Sequence, residues 1–281
     1  MRISVFSDIH SNSVAFKACI KCAEAIGFDA CILLGDYVSD CAYPERTMEL
    51  IGEIKQKYPT IMIRGNREEY LLDHLRNPGR SDWKYNSQTG SLLYTFENLS
   101  KESILSFDSM PIYQKIDIPG YESFEICHGS ITKSRAMVLP GHKDADEACE
   151  QMATKLLILG HTHTRFIMKK DDRVLANGGP VGVPSDNVTG ASFLMLSSEK
   201  GVFVPSVHVT DYDVDEVVRQ IDESGLTQKA NVWARGIKAM LRTGREYLIE
   251  AIDLVAVLSR ETGLPPEDER LWQKAAGILK I

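Results

Sequence analysis

The chain has 281 residues, 43% of them hydrophobic, which suffices for one large core or for one core with a modest appendage. A formal net charge of -7 argues against holding nucleic acid by bulk positive charge and leaves nucleic acid only as a substrate. With no run of eighteen apolar residues and no basic-then-apolar leader, the expectation is a cytoplasmic protein that does not engage a membrane.

The first stretch, Ile3-Ser4-Val5-Phe6-Ser7-Asp8-Ile9-His10, is an apolar run that ends in a carboxylate and an imidazole two residues apart. Such a run suits a central parallel strand, and Ser11-Asn12-Ser13 ahead of Ala15, Phe16, Ala18 and Ile20 reads as a capped helix. In open α/β sheets ligands bind beyond the carboxyl ends of strands. Asp8 and His10 can therefore converge on one ion if the backbone turns there; the plain alternative is a turn aspartate beside a surface histidine. Cys19-x-x-Cys22 lies in the first helix. With no second pair among the six cysteines it reads as one turn of small core residues, and reduced thiols are expected throughout.

Residues 28–34 form a second apolar run, closed by Gly35-Asp36. A helical pattern over 44–57 and a third run, 60–64, closed by Gly65-Asn66, complete three βα units, which imply a parallel sheet. Residues 68–110 look mainly helical, broken at Asn77-Pro78-Gly79, and form a candidate insert or lid. Trp83, Tyr85 and Tyr94 within it either stack on a substrate base or pack a small local core.

The second half is richer in strands, expected at 112–118, 124–127, 156–159, 166–169, 174–176, 192–196 and 202–207. Polar clusters follow two of them, Cys127-His128-Gly129 and Gly160-His161-Thr162-His163. A helical pattern at 212–220 is followed by a shift in composition at 227. From Val232 to Leu258 one apolar stripe continues, Pro265-Pro266 ends it, and acids at 267–269 open a last helix. The expected organisation is a catalytic domain over 1–226 and an appended helical pair over 227–281. The stripe needs cover from the catalytic domain or from a second copy of the chain.

Asp8, His10, Asp36, Asn66, His128, His161 and His163 all fall where a parallel sheet would gather them along one edge, enough for two metal ions. Asp36 can bridge, and Asn66 supplies a neutral oxygen. The mixed oxygen and imidazole set suits Mn first, with Fe, Zn, Co or Ni as alternatives, over Ca or Mg. Two divalent ions bring four positive charges and the two carboxylates cancel two, so the site keeps about +2 and favours an anion such as phosphate. A two-metal clamp activates a hydroxide for in-line phosphoryl displacement, which points to hydrolysis of a small phosphorylated substrate.

These residues resemble the calcineurin-like metallophosphoesterase family. Its Asp-x-His, Gly-Asp, Gly-Asn, lone His before Gly, and Gly-His-x-His pattern appears as Asp8/His10, Gly35-Asp36, Gly65-Asn66, His128-Gly129 and Gly160-His161-Thr162-His163. Ser7-Asp8-Ile9-His10-Ser11-Asn12, Tyr43-Pro44-Glu45 and Asn177-Gly178-Gly179-Pro180-Val181-Gly182 look like the compact bacterial branch of phosphodiesterases and phosphatases. The resemblance covers residues 1 to about 226. It implies a four-layer α/β/β/α sandwich of two mixed sheets, with Asp8, His10 and His163 on one metal, Asn66, His128 and His161 on the other, and Asp36 between. Protein phosphatases, dinucleoside polyphosphate hydrolases and a catalytically silent binding scaffold share parts of the motif.

Two departures stand out. Where many family members carry a general-acid His after Gly-Asn, this chain has Arg67-Glu68. Arginine cannot usefully release a proton, so substrates with poor alkoxide leaving groups should suffer most, whereas Arg67 can hold a phosphate oxygen or simply pair with Glu68 or Glu69. Pro180 stands where the related branch usually has Ser. Asn12 either caps the first helix or touches phosphate at its N-terminus. The candidate catalytic residues are thus Asp36, Asn66, Arg67 and His128, and the candidate phosphate contacts Asn12 and Arg67. His74, His142 and His208 have no partner pattern and are expected at the surface or in structural roles.

Overall fold

The computed structural model of the protein describes residues 1–79 and 82–281. Its first half is built from β1 (Arg2–Phe6), α1 (Ser13–Ile26), β2 (Ala30–Leu33), α2 (Pro44–Lys57), β3 (Thr60–Met62), α3 (Asn66–Arg76), α4 (Gly90–Glu97) and α5 (Lys101–Ser106). Then come β4 (Tyr113–Ile116), β5 (Phe124–Cys127), α6 (Lys143–Gln151), β6 (Leu156–Leu159), β7 (Phe166–Lys170), β8 (Arg173–Asn177), β9 (Ala191–Glu199) and β10 (Val202–Thr210). Five helices close the chain: α7 (Val214–Glu223), α8 (Leu226–Ala230), α9 (Val232–Thr243), α10 (Leu248–Thr262) and α11 (Glu269–Leu279).

The strands form two five-stranded mixed sheets, ordered β10-β9-β1-β2-β3 and β4-β5-β6-β8-β7. β1, β2 and β3 are parallel, with Val5 beside Ile32 and Ile32 beside Ile61, while β9 and β10 extend that sheet antiparallel. In the second sheet β5, β6 and β8 are parallel, flanked by antiparallel β4 and β7. Apolar side chains such as Val5, Ile32 and Ile63 from one sheet meet Ile126, Ile158 and Ala176 from the other. On the outer face of the first sheet, Phe6, Leu33 and Phe193 pack with Phe16 and Ile20 of α1 and Ile51 and Ile54 of α2. Ala145, Ala148 and Cys149 of α6 cover the second sheet. The expected four layers are present, and strands buried on both faces read as continuous apolar runs for that reason. All six cysteines are free thiols.

The C-terminal region differs from the expected helical pair. The stripe from Val232 to Leu258 is cut at Gly244, whose φ of 70° ends α9 in a left-handed cap with its N–H on the Met240 carbonyl oxygen at 2.8 Å. Periodicity that resumes in phase on the far side conceals such a break. α9 sends Ile237, Met240 and Leu241 into a cluster with Val217 and Ile221 of α7, Tyr94 of α4, and Cys41 and Val183. α10 and α11 bury Ala251, Val255, Leu258, Leu271 and Trp272 against one another.

The insert is helical as expected, and two of its aromatics pack rather than wait for substrate. Tyr94 is buried, and Trp83 stacks on His74 with ring centroids 4.2 Å apart. Tyr85 is 42% exposed and hydrogen bonds to Glu97. His142 caps α6 and His208 stacks on Phe193. Among the described residues no helix is long and apolar enough to cross a membrane.

Candidate metal centre

The parallel strands of both sheets deliver their C-terminal ends to one edge. Asp8 and His10 follow β1, Asp36 follows β2, Asn66 opens the helix after β3, His128 follows β5, and His161 and His163 follow β6. Five of the seven are non-glycine residues in the left-handed region, Asp8, His10, Asp36, His161 and His163, with φ between 49° and 65°. That reversal lets Asp8 and His10 converge, since on a continuing strand they would diverge along the chain. Such backbone costs about 1–3 kcal/mol per residue and persists where surrounding contacts over-determine it.

The ligand atoms of Asp8, His10 and His163 all lie within 4.8 Å of one another, as do those of Asp36, His128 and His161. Asp36 belongs to both neighbourhoods: one carboxylate oxygen is 3.4 Å from His128 Nε2 and the other 3.8 Å from His10 Nε2. Asp8 Oδ1 is 3.4 Å from His163 Nε2 and 3.9 Å from His128 Nε2.

Several observations fit a divalent cation to each group. Asn66 Oδ1 and His128 Nε2 are buried without a hydrogen-bond partner, a costly state for polar atoms unless something binds them. His128 Nδ1 lies 2.7 Å from the Leu34 carbonyl oxygen and His163 Nδ1 lies 2.9 Å from that of Val183. A carbonyl oxygen only accepts, so both Nδ1 atoms donate and both Nε2 atoms face the site. His10 Nδ1 is likewise spent on the Asp40 carboxylate at 3.0 Å, yet His10 Nε2 and His163 Nε2 stand 2.9 Å apart. Two lone pairs at that distance call for a positive charge between them.

The electrostatics agree. Burial opposes ionisation of Asp8, but His163 and His128 outweigh it and hold the carboxyl well below its usual range. Burial opposes ionisation of Asp36 too, and His128, His10 and Arg67 overcome it in the same way. For His128, burial favours the neutral ring, yet Asp36 and Asp8 raise its pKa to about 10, so the site draws positive charge onto Nε2. A metal ion satisfies the same demand. His161 goes the opposite way, lowered to about 4 by burial and by His128, which keeps it neutral as a ligand must be.

A second ring of residues fixes the first, and sequence reasoning passed over most of it. Glu68, expected to pair with Arg67 if anything, is fully buried and accepts from the backbone N–H groups of Asp36, Tyr37 and Gly65 at 2.8–2.9 Å. It thereby ties two ligand loops together, and burial beside Asp36 raises its pKa to about 7. Gly65 is needed between them, because a Cβ there would strike Asp36 Oδ1 and the His128 ring. Asn177, quoted in the sequence only as part of a Gly-rich string, donates to Gly160 O at 2.7 Å and to Thr162 Oγ1, bracing the loop that carries His161 and His163. Ser7 donates to Asp8 Oδ2 at 2.6 Å.

Asp40 is the residue the sequence reading missed altogether. It is 3% exposed, and besides orienting His10 it accepts from Arg67 Nη2 at 3.0 Å, from Trp233 Nε1 at 2.8 Å and from Ser91 Oγ at 3.2 Å. The only signal available was a second carboxylate four residues after Asp36. Arg67 is therefore not paired with Glu68 or Glu69, because Asp40 and Asp36 hold it and its guanidinium carbon lies 6.0 Å from the Trp233 ring centroid. Its Nε is buried without a hydrogen-bond partner, and the side chain lines a cleft of about 340 Å3 together with His161 and His163.

Asn12 takes the capping role. Its Oδ1 accepts from the Ala15 N–H, its Nδ2 donates to the Gly182 carbonyl oxygen, and at 1% exposure it is not among the residues lining the cleft, so of the two readings the structure displays the cap. The loop around Pro180 does have a role despite the lost hydroxyl: the N–H groups of Val181 and Gly182 bond to Ser7 O and Asp8 O at 2.9 Å, bracing the first ligand turn.

Known proteins share this fold. A protein of Methanocaldococcus jannaschii described as uncharacterized, MJ0912, is 25% identical over 244 residues, which span 80% of this chain and 94% of that protein. A metallophosphoesterase from Sphaerobacter thermophilus has a similar fold, with a TM-score of 0.69 at 22% identity over 87% of this chain and 100% of that one. The hypothetical protein PH1004 from Pyrococcus horikoshii OT3 gives 0.73 at 17% identity over 87% and 99%. Residues 1–226 alone are too few for such coverage, so both structural likenesses extend into the C-terminal helices. The family model of the calcineurin-like phosphoesterase superfamily domain matches residues 1–201, most of the chain, and the protein belongs to that superfamily.

Proposed function

We propose that the protein is a metal-dependent phosphoesterase that hydrolyses a small phosphodiester or phosphomonoester at a two-metal centre. Asp8, His10 and His163 would hold one divalent transition metal, Asn66, His128 and His161 the other, with Asp36 between them. The observation that carries this reading is the pair of adjoining triads, Asp8-His10-His163 and Asp36-His128-His161, with buried Asn66 Oδ1 and His128 Nε2 left without a hydrogen-bond partner. When bound, two such ions supply charge for the phosphoryl oxygens and acidify a water.

The chain's own residues do the rest. Hydrogen bonds to Leu34, Val183 and Asp40 aim three imidazoles through Nε2 in advance of any ligand. Arg67, with its charge held by Asp40 and Asp36 and its side chain lining the cleft, is placed to bind a phosphate oxygen and cannot protonate a leaving group. Aryl, pyrophosphate or diester substrates should therefore be favoured over simple alkyl monoesters. The intact ligand set argues against a silent scaffold. Arg67 is the one guanidinium among the described residues lining the cleft, which disfavours the more highly charged substrates of dinucleoside polyphosphate hydrolases.

The test is Mn-supported hydrolysis of bis(p-nitrophenyl) phosphate beside p-nitrophenyl phosphate, with metal content measured on the same protein. Two ions per chain and faster cleavage of the diester are expected. Cleavage of the monoester alone would mean that Arg67 serves a phosphate dianion. Two bound ions with no turnover of either would overturn the enzymatic reading in favour of a scaffold.

A further inference from the structure

The open side of the metal centre is walled by the C-terminal helices, and the chemistry of that wall differs from the rest of the site. Polar groups come from the histidine loop, as Thr162 and Thr164, and from Ser185 and Glu246. The α9–α10 side is otherwise carbon: Ile237, Met240, Leu248, Ile249 and Ile252, with Trp233 beside Arg67, and Met137 and Leu139 also line the cleft. Three of these large apolar side chains have no core to join, Ile249 at 52%, Ile252 at 45% and Met137 at 37% exposure. Ile249 and Ile252, three apart on α10, share one face, whereas Ala251, Val255 and Leu258 are buried with α11. The exposed pair is thus not left over from the helix–helix contact.

The size of the cleft selects the kind of occupant. At about 340 Å3 it lies at the small end of the range for ligand pockets, roughly 300–1,000 Å3. A macromolecular partner would need on the order of 800 Å2 of contact surface. An occupant that reaches Arg67, His161 and His163 while covering Ile249 and Ile252 carries an anionic end and an apolar end. We propose that the substrate is a small phosphate ester bearing an apolar alkyl or aryl group, with its phosphate at the metal centre and its apolar part against Ile249, Ile252 and Met137. The C-terminal helices are then the specificity element of the enzyme. This proposal rests on the phosphoesterase reading. Because Arg67 cannot protonate a departing alkoxide, the apolar group is either an aryl leaving group or the retained substituent of a diester.

The experiment uses the full-length, Mn-loaded protein and a series of alkyl p-nitrophenyl phosphodiesters, methyl through hexyl, in which the leaving group is constant. Burial of each added methylene should raise kcat/KM about two- to fourfold, mainly through KM, until the cleft is full. Calorimetric binding of hexylphosphonate should likewise be tighter than that of methylphosphonate. Both isoleucines are exposed, so the variant I249S/I252S should fold and should flatten the chain-length dependence in both assays. A flat series in the wild-type protein, with p-nitrophenol still released, overturns the proposal and leaves the phosphoesterase reading standing. A rising series that is equally steep in I249S/I252S overturns the assigned wall. No release from any ester and no binding of either phosphonate removes both readings together.

Discussion

The ligand turns and the helices that wall the cleft are built on opposite principles. Asp8, His10 and Asp36 are buried and, with His161 and His163, sit in left-handed backbone. α9 and α10 are regular helices whose cleft-facing Ile249 and Ile252 are about half exposed. These five residues, on three turns, together cost roughly 5–15 kcal/mol, comparable to the whole net stability of a typical domain. They persist because Glu68, Asn177, Ser7 and the 181–182 backbone bond to them from several directions. None of the cleft-lining residues of α9 and α10 has a positive φ, although Asn231, which opens α9, does. The candidate site is therefore locked into the sheet edge, while the helix wall beside it is free of those constraints.

That contrast is most severely tested on the ligand side. Asp36→Asn keeps the shape but removes the charge both triads share, and turnover should fall to background while metal content drops below two ions per chain. An active variant with full metal content would break the bridging assignment. Asp40→Asn acts one step back, by weakening the hold on His10 Nδ1 and on Arg67. A loss of about 10–100-fold in metal affinity or activity is expected, the usual range for residues that orient a ligand. Wild-type affinity by metal titration would mean that Asp40 only neutralises Arg67.

The two regions were also unequally legible in the sequence. The seven candidate ligands that the structure gathers at one edge could be read because each ends an apolar run or sits in a short motif, and runs of that kind are local. The same locality made the strands readable, whereas the four layers followed from the family resemblance. The bond between Trp233 and Asp40 joins residues 193 apart, and no periodicity reports it. Trp233 looked like one more apolar position in a helical stripe, and the break at Gly244 was masked by a stripe that resumed in phase. Of the aromatics in the 68–110 insert, for which stacking on a substrate and local packing were both open, Trp83 and Tyr94 pack locally, and the aromatic that reaches the cleft comes from α9. Arg67 was visible as a departure, but not the two carboxylates that hold it.

Arg67→His sharpens the comparison at the point where the regions meet. An imidazole there could donate a proton, and general acid catalysis is worth about 10²–10⁴-fold when fully expressed. Asp40 would hold the new ring much as it holds Arg67, so only part of this is expected, roughly tenfold in the rate on alkyl esters relative to aryl esters. The ratio of the two rates isolates the leaving group from any general damage. An unchanged ratio would show that protonation at this position is not what limits alkyl substrates.

Trp233→Phe should have the smallest effect, and it asks whether the wall and the ligand turns are coupled at all. The substitution keeps an aromatic face beside Arg67 and removes the donor to Asp40 Oδ1. Ser91 Oγ still reaches that oxygen at 3.2 Å, so it is not orphaned, and the cost should stay near about 1 kcal/mol of stability. If the hydrogen bond also steadies Asp40 against His10, metal affinity should fall a few-fold, and Trp233→Phe combined with Asp40→Asn should lose no more than Asp40→Asn alone. No loss of metal affinity in Trp233→Phe would mean that α9 contributes packing to the cleft and nothing to the metal centre, and additive losses in that double-mutant cycle would mean that it acts there by a route other than Asp40.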